Sequence, residues 1–319
     1  MNLKFKLLIL YLIKEIIAFL LFIPGFIFLK SKFTNQKVLF ILNYHNFSKY
    51  NNDKLKRGSI IETGYAKNFE RQIHFLKKYF HFCNPEDFFQ GKAEKGINVL
   101  LTFDDGYKDN YDIAFPILKK NQIPTIFFVA TMFLNSKDFI MHDKVKFLVQ
   151  ENILSKNELN ILRKLNLGEE YSKEYIENIE ELFFKNYPNH LLMMNNKEVK
   201  ELDSKGFIIG NHTYRHDVLS FLTKEDQNKT IKMADDYLIS ILGDGSQHIA
   251  YPNGMFNTET LEVLDELNIN YGYTTLGGYN KEKDSEKELK RIGVNVSDSI
   301  NFILLKMLLF STFKFGKSN

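Results

Sequence analysis

The chain has 319 residues, enough for one large core or for one core with an insertion. Its 44% hydrophobic content, with 30 Phe and 16 Tyr, excludes a disordered protein, and its single cysteine, Cys83, excludes an intrachain disulfide. The net charge of +3 hides an asymmetry: residues 1–37 carry six lysines against Glu15, residues 300–319 carry three lysines and no acid, and the body between is left at −5. A body of that sign suits a nucleic-acid backbone poorly, so no nucleic-acid partner is expected, whereas basic, apolar ends suit anionic lipid.

Phe5 to Leu29 is apolar but interrupted by Lys14-Glu15, with Pro24-Gly25 near its end. The unbroken run Ile16 to Leu29 has 14 residues, short of the roughly 20 that cross a bilayer, and two mid-segment charges would be costly in a straight crossing. Residues 1–30 therefore read as an anchor or interfacial helix that associates with a membrane. They read as uncleaved, because no small-x-small site follows the apolar run. A helix packed on the protein body is the other reading. Val38 to Asn43 then reads as a strand, and Tyr65 to Phe80 as a helix with Phe69, Ile73, Leu76 and Phe80 on one face. Ile97 to Phe103 is a strand, Tyr111 to Lys120 a helix, and Ile123-Pro124 leads into a strand ending at Val129. This rhythm predicts a parallel α/β barrel. Residues 139–200 depart from it, with helical patterning and breaks at Leu167-Gly168 and Tyr187-Pro188-Asn189, and read as a helical insertion. The rhythm resumes with a strand at Phe207 to Ile209 and a helix from Lys224 to Ile241 behind Thr223. A strand at His248 to Tyr251, a helix from Thr258 to Asn268 and strands at Tyr271 to Thr275 and Arg291 to Val296 follow, with 281–290 as an exposed loop. The tail, 300–319, is basic and apolar, and fits either a membrane surface or the outside of the barrel.

Two clusters carry chemistry. Thr102-Phe103-Asp104-Asp105-Gly106 ends a buried strand with adjacent carboxylates, which repel and are costly to bury unless paired or bound to metal. The pair makes sense if Asp105 holds a metal and Asp104 takes a proton; an Asx-type turn with a helix cap is the competing reading. Gly210-Asn211-His212-Thr213-Tyr214-Arg215-His216-Asp217 follows another apolar run. Histidines four apart share one face of a helical turn and can converge on one ion. Two His and one carboxylate make a catalytic zinc set with a position left for water. His142 and Asp143 are nearby candidates, weak as ligands.

Both clusters resemble the first two motifs of the NodB-type polysaccharide deacetylases, carbohydrate esterase family 4, and Ile249-Ala250-Tyr251-Pro252-Asn253-Gly254 resembles the third. The resemblance runs from about residue 38 to 296 and implies a distorted (β/α)7-type barrel over residues 37–299, carrying the helical insertion. It implies that Asp105, His212 and His216 bind a divalent metal, usually zinc, that Asp104 is the general base, and that the backbone N–H of Asn253 stabilises the oxyanion. Two family features are missing. Ala250 stands where the third motif has an arginine that orients the base, and Arg291 is the best substitute. No histidine follows His248, so His45, where poly-N-acetylglucosamine deacetylases also have a histidine, is the candidate proton donor. The implied function is metal-dependent deacetylation of an N-acetylated sugar, in a cell-envelope glycan or lipid-linked saccharide, at a bacterial membrane or envelope. An O-acetyl esterase and an inactive carbohydrate-binding barrel are the alternatives.

Overall fold

Among the described residues, eight strands, all paired in parallel, make the frame: β1 (Lys37–Tyr44), β2 (His81–Phe82), β3 (Gly96–Phe103), β4 (Thr125–Val129), β5 (Ile208–Asn211), β6 (His248–Ala250), β7 (Tyr271–Tyr273) and β8 (Arg291–Gly293). The computed structural model describes residues 3–47, 60–136, 138, 140–155, 173–186 and 193–312; the breaks expected at Leu167-Gly168 and Tyr187-Pro188-Asn189, and the tail beyond Thr312, lie outside them. The order around the sheet is β7-β6-β5-β4-β3-β1-β8, with the short β2 added at the lower end of β3. This is a seven-strand, nearly closed barrel of the distorted (β/α)7 kind. The run 281–290, expected as an exposed loop, is irregular and has residues 282, 283, 285 and 286 exposed, and it also helps close the barrel through Leu289. Leu289 is buried, its N–H donates to the Gly272 carbonyl, and its own carbonyl accepts from the Thr274 N–H. The apolar Leu289 inside a charged run is what turns the segment inward.

Strand alternation divides the residues cleanly. Leu39, Ile41, Leu100, Ile126, Phe128, Ala250 and Tyr273 cluster in the barrel interior, while Phe40, Leu42, Tyr44, Leu101, Phe103 and Phe127 pack outward under the helices. Phe103 lies stacked between Tyr44, 5.3 Å away, and Phe127, 5.2 Å away, which anchors the strand end that carries Asp104. Helices α2 (Ile60–Tyr79), α4 (Phe115–Asn121), α8 (Lys224–Leu242) and α9 (Thr258–Glu266) cover the outside, as their apolar periodicity requires. α3 (Pro85–Phe89) sits below the barrel and puts Phe88 into its floor.

Between β4 and β5 the chain forms α5 (Met141–Gln150) and α6 (Lys173–Asn186), which share a separate small core with Phe147, Leu148, Ile179 and Phe183. α7 (Asn196–Ser204) then leads into β5, opened by a capping box between Asn195 and Glu198. The N-terminal α1 (Leu3–Phe33) packs along α10 (Ile300–Thr312), and its last turns enter the main core through Leu29 and Phe33.

Candidate active site and metal centre

The carboxyl ends of β1, β3, β5 and β6 converge at one mouth of the barrel, where parallel α/β sheets place their sites. Asp104 leaves the top of β3 pointing inward and is buried. Arg291 grips it as a fork: Nη1 donates to Oδ1 at 2.7 Å and Nη2 to Oδ2 at 2.8 Å. Asn43 adds a third donor, from Nδ2 to Oδ2 at 2.9 Å. Thr102 donates to Asn43 Oδ1 at 2.9 Å, and Arg291 Nε donates to the Thr274 carbonyl at 2.8 Å, so the holders are themselves held. Burial alone would raise the Asp104 pKa, but the Arg291 guanidinium and the neighbouring histidines outweigh it and hold the carboxyl below its usual value. Arg291 starts β8 opposite Ile41 of β1, one layer below Asn43, and is only 1% exposed, so its side chain rises through the interior to reach the acid. A guanidinium thus stands where Ala250 cannot supply one.

Asp105 is also buried, at 1% exposure, yet among the described residues neither of its oxygens has a hydrogen-bond partner. Its Oδ1 lies 3.4 Å from His212 Nε2 and 3.5 Å from His216 Nε2, and the three donor atoms fall within 4.8 Å of one another. Those separations fit a tetrahedral site, in which bonds of about 2.1 Å give edges of about 3.4 Å. An orphaned buried carboxylate facing two imidazole nitrogens is what a divalent cation site requires, and the residues fit one. His212 Nδ1 faces the Ala250 carbonyl at 2.7 Å and must carry the proton there, leaving Nε2 as a lone-pair donor. Burial lowers the His212 pKa, but Asp105 and Asp104 overcome it and the net shift is upward. For His216, burial and the nearby His212 prevail and push the pKa down to about 3, so its ring is neutral and ready to ligate.

The two histidines do not share a helical turn, contrary to the spacing argument. They sit on a loop in which Thr213 (φ 60) and His216 (φ 62) take left-handed backbone. Side chains win over the helix here: Asn211 Oδ1 accepts from Thr213 N at 2.8 Å, and Thr213 Oγ1 accepts from Asp217 N at 2.7 Å. Asp105 (φ 79) and Asn253 (φ 57) are left-handed as well. Four such residues around one mouth, each costing on the order of 1–3 kcal/mol, mark a site whose geometry outranks local comfort. The Asn253 turn depends on Gly254 (φ +73), where an added Cβ would lie 2.1 Å from Thr275 Oγ1.

His45 is 52% exposed at the lip, with Nε2 at 3.9 Å from Asp104 Oδ2, beyond a hydrogen bond. His142 does not join the three ligand atoms; its ring packs 5.6 Å from that of His216, and its Nε2 lies 3.1 Å from the buried Asp143, which Tyr107 also engages. Asn43 and Tyr107 carry no role in the sequence reading, and Thr102 and Asp143 none as hydrogen-bonding partners. The available signal was polar residues, Asn43 and Thr102, at inward positions of strands that otherwise alternate apolar residues.

A family model described as "Polysaccharide deacetylase" matches residues 91–272, more than half of the chain and both acid and histidine clusters. The chain belongs to the polysaccharide deacetylase family. A poly-beta-1,6-N-acetyl-D-glucosamine N-deacetylase of Staphylococcus epidermidis is 28% identical over 259 residues, 77% of this chain and 74% of that protein. The Staphylococcus aureus protein of the same name is 27% identical over 261 residues, with the same coverage. Among solved structures, the deacetylase PplD of Streptococcus pyogenes in complex with acetate superposes with a TM-score of 0.58 at 22% identity, over 85% of this chain and 98% of that one. IcaB from Ammonifex degensii gives 0.55 at 20% identity, with the same coverage. At those identities the two structures speak for the fold of this polysaccharide deacetylase. Its family and its Asp-His-His centre together make it a metal-dependent enzyme that deacetylates an N-acetylated sugar.

Proposed function

We propose that this deacetylase removes N-acetyl groups from poly-β-1,6-N-acetylglucosamine, or a closely similar N-acetylhexosamine glycan of a bacterial envelope, using zinc and working beside a membrane. Two poly-N-acetylglucosamine deacetylases among its relatives support the substrate class, and the two-His, one-carboxylate donor set favours zinc. In the proposed organisation, residues 1–30 associate with the membrane, residues 37–299 form the catalytic barrel with its insertion at about 139–200, and residues 300–319 form the basic tail. The observation that carries the reading is the pairing of unlike acids: a forked Asp104 with three donors beside an orphaned Asp105.

Bound by Asp105, His212 and His216, a divalent cation supplies Lewis acidity, which acidifies water and polarises an amide carbonyl. The chain's own residues handle the protons. Asp104 accepts the proton of the attacking water at Oδ1, which has one donor on it against two on Oδ2. Arg291 and Asn43 fix the carboxylate plane, so the acceptor does not reorient during the step. The backbone N–H of Asn253, in its left-handed turn, is the proposed donor to the developing oxyanion. His45, at the lip, gives a proton to the departing amine. The test is acetate release from N-acetylated and O-acetylated glycans after chelation and after restoring zinc. Release from the N-acetylated glycan alone, lost on chelation and regained with zinc, supports the reading. Preference for the O-acetylated glycan would make the protein an esterase.

A further inference from the structure

Helix α1 is sided in an unusual way. Ala18, Leu29 and Phe33 are fully covered by protein, and Phe22 and Phe26 pack onto the same core, which gives an inward stripe every three to four residues. α10 lies along it in the same direction. Ser299 Oγ donates to Glu15 at 2.6 Å, Gly25 lies against Leu308, and Lys32 Nζ donates to the Ser311 carbonyl. The outward face is nevertheless apolar: Leu12, Ile16, Phe19, Leu20, Ile23 and Ile27 are each at least half exposed. Glu15 is the sole acid between Leu3 and Phe33, and its bond to Ser299 draws it off that face. What remains outside is hydrocarbon flanked by Lys14 and Lys30. Such a surface, apolar with basic residues beside it, is complementary to anionic lipid.

The stretch Leu12–Phe33 is long and apolar enough to cross a bilayer. A helix that crosses the hydrocarbon core leaves a water-soluble body behind, whereas this one is tied to the protein body from Ala18 to Phe33. The part left over, residues 3–17, is about 22 Å long and contains Lys4, Lys6, Lys14 and Glu15, which suits a crossing poorly. We propose that α1 lies in the plane of one leaflet, with the stripe from Leu12 to Ile27 sunk among the acyl chains and its other face still packed on α10 and the barrel. This rests on the membrane association proposed above and deepens it. Because α10 returns from the catalytic end of β8 and α1 runs beside it, the barrel then presents its flank to the bilayer and its mouth opens along the surface.

Cys83, the sole cysteine, is buried, so single cysteines placed at positions 16, 20, 23 and 27 in a Cys83→Ala background can carry an environment-sensitive fluorophore. The full-length protein is mixed with vesicles of phosphatidylcholine and phosphatidylglycerol that bear quenchers at known depths. The expected result is one common depth for all four probes. In addition, an Ile16→Glu, Leu20→Glu, Ile23→Glu variant should lose most of its vesicle-bound fraction while releasing acetate from a short soluble glycan at the unaltered rate. A depth that changes steadily from position 16 to 27 would show a crossing helix and overturn the in-plane arrangement while leaving membrane association standing. Probes that stay wet, with protein wholly in the soluble fraction, would overturn both. Dry probes without vesicles, together with cross-linking between copies through position 20, would assign the face to a second copy and likewise overturn the proposal.

Discussion

Asp104 has three donors on its two oxygens, and Asp105, one residue on, has none among the described residues. That contrast sets the expected behaviour of each. Asp104→Asn keeps the size and loses the proton acceptor; since general-base assistance contributes about 10²–10⁴-fold, turnover should fall by at least two orders of magnitude with metal content unchanged by elemental analysis. Near-normal turnover would move the base to another group. Arg291→Lys keeps the charge but replaces a two-pronged grip with a point donor, so kcat should fall much more than KM changes, again with metal retained. At the histidines the sign of each shift gives a pH prediction. His212 is raised and must lose a proton before it can ligate, whereas His216, at about 3, has already lost its own. Metal affinity should therefore weaken as pH falls through the His212 pKa, with a slope of one proton, and the second proton should enter only near pH 3. A chelator-competition titration reads this directly, and a two-proton slope near neutrality would contradict it.

At the scale of elements, much was visible in the sequence because strand alternation and motif position carry it. The strands ending in Asp104-Asp105 and preceding His212 were legible as short apolar runs, and Arg291 was legible as the guanidinium to look for once Ala250 was noticed. The loop form of His212 to His216 was not, because periodicity reports spacing and says nothing of Asn211 and Thr213 bonding to the backbone. Nor was the inward turn of Leu289 within the otherwise charged run 281–290. The two-residue β2 is too short for any periodic signal. Phe103 joins element to site. It is fully buried amid Tyr44, Phe47, Phe69 and Phe127. Phe103→Ala should cost about 3–5 kcal/mol in denaturant unfolding. Activity measured well below the transition should also drop, as the strand end that aims Asp104 loosens.

For the whole molecule, the metal and the fold are thermodynamically linked. Without an ion the fold buries a carboxylate that has no donor among the described residues, facing two imidazole nitrogens, and an ion that binds only the folded chain relieves it. At a hundredfold excess over Kd, such binding adds about 2.7 kcal/mol of stability. Thermal unfolding with and without zinc should therefore differ by several degrees, and the His212→Ala, His216→Ala double variant should show no difference. An equal shift in the double variant would place the ion elsewhere.

The grip of Arg291 on Asp104 also has a meaning in time. The ligand set is complete once the chain has been made as far as His216, and it draws on β3 and the loop after β5. The guanidinium that holds the neighbouring acid arrives 75 residues later, on the last of the described strands. A nascent or C-terminally clipped chain would thus possess its ligands and yet lack an oriented base. On the proposed mechanism, hydrolysis would wait for β8 to take its place beside β1.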